Sequence, residues 1–123
     1  MPLSYEFKKD TLLIKCECCF TRKDAIACFE TAIKDPFFRN GMNVLIDSTG
    51  CEILLPCQAV KLLMEYLSKK SNFLSPRFAF VEKNLNPFGV GQIFSNYAKD
   101  YGFECRIFHK HETAQEWLSD VGQ

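Results

Sequence analysis

The residues best placed for chemistry follow a short apolar run. Asp47, Ser48, Thr49 and Gly50 come directly after Asn43–Ile46, which has the unbroken apolar centre of a strand covered on both faces. They offer a carboxylate, two hydroxyls and the backbone amides of a turn. In α/β proteins such groups at the carboxyl end of a strand bind ligands or partners. A hydrogen-bonded turn is the simpler interpretation of Ser48-Thr49-Gly50, and it is favoured over a ligand role.

A second candidate lies where a helix is expected to begin. Pro56 suits the first turn of a helix, because its missing amide costs no hydrogen bond there, and Cys57 follows it. The helix dipole lowers the pKa of a thiol in that position, so Cys57 is a candidate nucleophile or redox centre, although plain packing is favoured. Four phenylalanines in or near predicted loops are available to line an apolar cleft or a subunit contact: Phe37, Phe38, Phe73 and Phe88. The residues predicted to bind a ligand or partner are Asp47, Ser48, Thr49, Gly50, Pro56, Cys57 and Phe88, and no catalytic residue is predicted.

No metal site and no cofactor are predicted. Cys16-Glu17-Cys18-Cys19 falls on a predicted strand, which sends its cysteines to both faces, whereas structural zinc sites use paired Cys-x-x-Cys turns. His109 and His111 lack a third, distant ligand, so they are interpreted as solvated loop residues. Gly89-Val90-Gly91 lacks the Gly-Lys-Ser/Thr of a phosphate-binding loop. Close packing of a helix start on its neighbour is the favoured explanation of both glycines.

Composition excludes several classes of partner. The chain has 123 residues, and its 15 basic and 15 acidic side chains cancel, so neither a nucleic-acid surface nor a polybasic membrane patch is expected. No apolar run approaches the roughly 20 residues that span a bilayer, and the first residues lack the pattern of a secretion signal. Seven cysteines without an export signal are best explained as reduced thiols in the cytoplasm.

The apolar periodicity predicts one α/β domain over residues 1–123 in the order ββαβαβαβα. Two strands form a hairpin around Lys9-Asp10, and Thr21 with Asp24 caps the first helix, which ends at Asp35-Pro36. The later elements are a strand over 43–46, a helix from Pro56, an exit loop over 71–76, a strand over 78–81, a helix from Asn86-Pro87 to Gly102, a strand over 105–108 and a helix over 112–118. Strands that alternate with helices favour a mostly parallel five-stranded sheet, with the first strand antiparallel at an edge.

Several segments carry a resemblance to a known group of proteins. They are Asp35–Met42, Val44–Asp47, the helix that starts at Pro56, and Arg106–Phe108 together with Ala114–Leu118. Over nearly its whole length the chain resembles small bacterial proteins related to anti-sigma-factor antagonist (STAS) domains, which are grouped with lipid-carrier folds of the Sec14 type. The resemblance implies a β-α superhelix in which consecutive strands lie side by side and most helices cover one face. Most members of this group have no assigned reaction.

The resemblance does not carry over a phosphorylation switch. STAS regulators are phosphorylated on a serine at the start of the helix that follows the central strand. Here that place is occupied by Leu54-Leu55-Pro56-Cys57, which has no hydroxyl. Ser48 and Thr49 lie too early in the chain, so the usual switch is not predicted.

Unbroken apolar strands require both sheet faces to be dry. A helix, a partner subunit or an apolar ligand must therefore cover the second face, and an isologous homodimer is favoured. Three functions remain open. The leading hypothesis is a non-enzymatic regulatory or interaction module with an unknown protein partner. The alternatives are a carrier or sensor of a small apolar ligand, as in Sec14-like proteins, and a redox or enzymatic role at Cys57.

Overall fold

A computed structural model describes residues 3–17, 21–50, 57–70, 72–83 and 90–119. Its elements follow the predicted order ββαβαβαβα, with a short 3-10 helix over Ala98–Tyr101 after the third α-helix. Their bounds are β1 Leu3–Lys8, β2 Thr11–Cys16, α1 Arg22–Ile33, β3 Met42–Asp47, α2 Cys57–Ser68, β4 Leu74–Val81, α3 Val90–Tyr97, β5 Glu104–Phe108 and α4 His111–Ser119.

The five described strands form one sheet in the order β1-β2-β3-β4-β5. β1 pairs with β2 in antiparallel fashion, and every later pair is parallel. Consecutive strands therefore lie side by side, as the resemblance implied. All four carboxyl ends of β2 to β5 meet at the same edge of the sheet.

Local sequence signals explain several of the element boundaries. The Thr21 side chain accepts the Asp24 N–H at 3.2 Å while the Asp24 carboxylate accepts the Thr21 N–H at 2.8 Å, which is the predicted capping box of α1. Gly102 ends the 3-10 helix with a φ of 81°, a left-handed conformation that glycine adopts without strain.

The start of β4 differs from the predicted exit loop. The strand begins at Leu74, so Ser75 and Pro76 belong to it. Its pairing with β3 shifts between Met42, which lies opposite Leu74, and Val44, which lies opposite Phe78. The additional β4 residues form an irregularity in the ladder, and this is where a strand tolerates proline, which has no N–H to donate.

An aromatic layer fills one face of the sheet, beneath α1, α2 and α3. The Phe78 ring lies 5.4 Å from that of Phe94 and 5.1 Å from that of Phe103, and the Phe94 and Phe103 rings are 5.7 Å apart. All three side chains are buried. Phe78 comes from β4, Phe94 from α3 and Phe103 from the segment that precedes β5.

Helix α4 covers the second face. Leu13, Leu45, Ala79 and Val81 pack there against Ala114 and Leu118 of the helix, and all six are buried. A helix, a partner subunit and an apolar ligand were the three predicted ways to cover this face, and the structure shows that a helix covers it. The dry second face therefore no longer gives a reason for a dimer.

Polar side chains of the sheet fix the carboxyl end of α4. The Asn43 amide donates to the Leu118 carbonyl at 3.0 Å, and the Arg77 guanidinium donates to the Trp117 carbonyl at 2.9 Å. These carbonyls have no partner within the helix, so the two bonds satisfy groups that would otherwise be left unpaired. They also set the position of the helix along the sheet.

Candidate functional site

The turn after β3 is held by a buried carboxylate. Asp47 is 7% exposed, and its Oδ1 accepts both the Thr49 N–H at 2.9 Å and the Thr49 hydroxyl at 2.6 Å. Ser48 donates its N–H and its hydroxyl to the Val81 carbonyl, at 2.9 and 3.2 Å. The hydrogen-bonded turn predicted for Ser48-Thr49-Gly50 is therefore confirmed. Thr49 and Gly50 are exposed at its tip.

His111 completes the hydrogen bonding of Asp47. Its Nε2 lies 2.7 Å from Asp47 Oδ2, and it is the first residue of α4. Asp47 points to the face that α4 covers, because it lies two residues after Leu45 on the same strand. The contact joins the end of β3 to the start of the helix. The interpretation of His111 as a loop residue was wrong, because it begins α4, although its side chain is 42% exposed.

Burial and hydrogen bonding shift the pKa of the Asp47 carboxyl in opposite directions. Burial disfavours its ionised form, but the hydroxyl and N–H of Thr49 and the contact with His111 outweigh that cost. Its pKa therefore lies below the usual value of 3.8. The group is anionic at neutral pH and is a poor proton acceptor.

A second carboxylate lies at the end of the neighbouring strand. Glu82 follows β4, is 9% exposed and accepts a hydrogen bond from the Gly91 N–H near the start of α3. Burial raises the pKa of Glu82, and the Gly91 bond and the charge of His109 oppose that shift. His109 itself is exposed, with Nδ1 3.2 Å from the Glu82 carbonyl.

Gly91 allows this close approach of α3 to β4. A Cβ at Gly91 would overlap the Glu82 carboxylate and would lie 3.2 Å from Cγ of Phe80. Close packing of a helix start was the predicted reason for this glycine, and it is confirmed. Gly89 lies outside the described residues.

We call residues 47–50, 82–83 and 109–112 the carboxyl edge. It combines two buried carboxylates with an exposed turn, and three exposed charged side chains surround them: Lys83, Lys110 and Glu112. Within the described ranges, no group of three His, Cys, Asp or Glu side chains is arranged to hold a metal ion.

The predicted site residues lie in different parts of the structure. Asp47 to Gly50 belong to the carboxyl edge together with His111 and Glu82, neither of which was a predicted site residue. Cys57 is the first described residue of α2, whereas Pro56 and Phe88 lie outside the described residues. Phe37 and Phe73 are exposed, but they precede β3 and β4 and so lie at the opposite edge of the sheet.

Two thiols outside this edge are protonated at neutral pH. Burial raises the pKa of Cys28 to about 11 and that of Cys105 to about 12, with the charge of Glu82 adding to the second shift. Cys16 is buried in the core, which agrees with the packing role preferred for its motif. A thiol in such surroundings is a weak nucleophile.

Comparison with known proteins defines the class of fold. No family model matches the chain, and no curated protein matches it. A similar solved structure is that of an uncharacterized protein of the DUF3478 family with a SpoIIAA-like fold, from Shewanella loihica PV-4. The two sequences are 19% identical, the match covers 94% of this chain and 91% of that one, and the TM-score is 0.59.

The chain therefore has a SpoIIAA-like, or STAS-like, α/β fold. At this identity the likeness concerns the fold alone. In the part of the chain that the structure describes, no helix is both long enough and apolar enough to cross a membrane.

Proposed function

We propose that this protein is a non-enzymatic regulatory module that binds a protein partner through its carboxyl edge. The observation that carries the proposal is the exposed Thr49-Gly50 tip, which the buried Asp47 carboxylate holds in one conformation. A surface that is rigid before binding loses little conformational entropy when a partner docks. The fold is compatible with this role but does not specify it.

The close packing on both faces of the sheet favours a binding module over a carrier of an apolar ligand. The aromatic layer on one face has ring centroids 5.1 to 5.7 Å apart, and α4 closes the other face. An apolar ligand would have to lie between the sheet and the helices that cover either face. It would then displace core side chains, which are packed closely in folded proteins. Binding at the surface requires no such rearrangement.

The titratable groups also support a non-enzymatic role. The pKa of Asp47 is lowered, so its carboxylate is a weak base, and those of Cys28 and Cys105 are raised, so their thiols are weak nucleophiles. The pKa of Glu82 is raised, but its carboxylate is engaged by the Gly91 N–H, where it fixes the start of α3. The seven cysteines support a reducing, cytoplasmic compartment.

The test compares one charge change at the two edges of the sheet. Lys83→Glu with Lys110→Glu reverses two exposed charges at the carboxyl edge, and Lys9→Glu with Lys69→Glu makes the same change at the opposite edge. A partner captured by the wild-type protein is purified and titrated against all three proteins. We expect the carboxyl-edge variant to bind at least about tenfold more weakly, and the control variant to bind like wild type.

Three results would contradict the proposal. Equal affinity in both variants would remove the carboxyl edge as the binding surface. A small molecule retained by the purified protein in native mass spectrometry would favour a carrier. Selective alkylation of Cys57 at neutral pH, ahead of the other six thiols, would favour the redox or enzymatic alternative.

A further inference from the structure

β5 forms an open edge of the sheet, and no described strand lies beyond it. The Phe108 carbonyl accepts the Glu82 N–H at 2.9 Å, so the backbone groups of Phe108 face β4. Successive residues of a strand direct their N–H and C=O groups to alternate sides. Cys105 and Ile107 therefore direct theirs outward, where they form a template for another strand.

Two side chains along this edge carry opposite charges and are equally far from Cys105. Glu104 and Arg106 are exposed and share the face that α4 covers, one on each side of Cys105 along the strand. Glu104 lies 3.5 Å from Arg77, and Arg106 lies over the Trp117 ring at 5.8 Å. Arg106 has no ion pair with any described residue.

We propose that β5 pairs in antiparallel fashion with β5 of a second copy of this chain, centred on Cys105. In this register Glu104 of each copy lies opposite Arg106 of the other, so the two-fold symmetry makes the ion pair twice. The backbone of Cys105 exchanges hydrogen bonds with its equivalent. The Ile107 N–H reaches the Phe103 carbonyl of the other copy, while the Phe103 N–H keeps its bond to the Ala98 carbonyl.

The charges of Glu104 and Arg106 favour the register centred on Cys105 over registers centred on either of these two residues. A shift that recentres the pair on Glu104 sets two carboxylates opposite each other, and a shift to Arg106 sets two guanidinium groups opposite each other. Like charges directly opposite on paired strands are destabilising. A shift by one residue would set Cys105 opposite Arg106, whose backbone groups face β4, so the two strands could not exchange hydrogen bonds.

The other edge of the sheet does not offer an equivalent pairing. Glu6 and Lys8 of β1 are exposed, and they would face each other in a register centred on Phe7. That register sets Tyr5 opposite Lys9, which has already left the strand with a φ of 56°. The matched charges of β1 therefore serve as a control.

The test reverses the charge of Glu104 or of Arg106 alone, then exchanges the two charges in one double variant, and measures dimerisation each time. Sedimentation equilibrium of the wild-type chain over a wide concentration range should show a reversible dimer of twice the 14.2 kDa chain mass. Glu104→Arg alone or Arg106→Glu alone places like charges opposite each other twice and should weaken the dimer roughly tenfold or more. The double variant Glu104→Arg with Arg106→Glu restores both pairs and should restore the dimer.

The control variants Glu6→Lys and Lys8→Glu should leave dimerisation unchanged. Amide exchange provides a second measurement, in which the Cys105 and Ile107 N–H groups become protected as the protein concentration rises. A monomer at every concentration would overturn the proposal. So would a dimer that the β1 variants disrupt, or one that the double β5 variant fails to recover.

Discussion

Replacing Asp47 with asparagine tests how the carboxyl edge is held together. The change preserves the shape of the side chain but removes its charge, while its Oδ1 can still accept from Thr49. The wild-type carboxylate makes three short contacts, at 2.6, 2.7 and 2.9 Å, with the Thr49 hydroxyl, His111 and the Thr49 N–H. A hydrogen bond to a charged group contributes about 1.5 to 3 kcal/mol, roughly twice a neutral one. Because the bonds are weakened and not all lost, we expect Asp47→Asn to lower the free energy of unfolding by about 2 kcal/mol at neutral pH.

The pH dependence of this difference follows from the lowered pKa of Asp47. A carboxyl whose pKa is lower in the folded state contributes stability above its unfolded pKa, here 3.8, and loses it as the pH falls through the lower folded value. Asparagine does not titrate. The difference between wild type and Asp47→Asn should therefore be full at neutral pH and should shrink toward zero as the solution is acidified below that range.

Urea unfolding monitored by circular dichroism at a series of pH values measures both quantities. Asp10→Asn is the matched control, because the Asp10 side chain is 84% exposed beside Arg39 and such a surface pair contributes less than about 1 kcal/mol. An Asp47→Asn protein as stable as wild type at neutral pH would refute the stabilising role of the Asp47 charge. A difference that stays constant into acid would also refute it.

Three further predictions concern the packing of the helices and the burial of two thiols. Gly91→Ala should lower the free energy of unfolding by about 1 to 3 kcal/mol, measured by urea unfolding, because its Cβ meets Glu82 and Phe80; a neutral effect would mean that α3 can move away from β4. Leu118→Ala should cost about 2 to 5 kcal/mol in the same assay, since this α4 side chain is fully buried against the sheet, and a change below about 1 kcal/mol would show that α4 does not seal the second face. Cys28 and Cys105, with pKa values of about 11 and 12, should react slowly with iodoacetamide at neutral pH until urea is added; fast labelling in the folded protein, read by mass spectrometry, would contradict their burial.

The order of the elements follows from local patterns in the sequence, whereas the side-by-side arrangement of consecutive strands was implied by the resemblance. Capping by Thr21 and Asp24, the unbroken apolar centre of β3 and the glycine at position 102 all act over a few residues, so each could be identified without the fold. The start of β4 was missed because Pro76 is unfavourable within a regular strand. Only the irregular pairing with β3 makes room for it.

The site was harder to predict because its contacts join distant parts of the chain. Asp47 and His111 are 64 residues apart, and they meet only because α4 returns across the second face of the sheet. The alternation of β3 does place Asp47 on the same face as Leu45. No local pattern, however, says that the last helix covers that face, and this is why His111 was interpreted as a loop residue.

The carboxyl edge is the proposed binding surface for a protein partner. Hydrogen exchange measured on the complex with that partner and on the free protein shows which backbone amides the partner covers. We predict new protection of the backbone amides in residues 47–50 and 109–112, with none around Phe37 and Phe73 at the opposite edge. Protection confined to the opposite edge, or unchanged exchange at 47–50 in a saturated complex, would rule out the carboxyl edge as the binding surface.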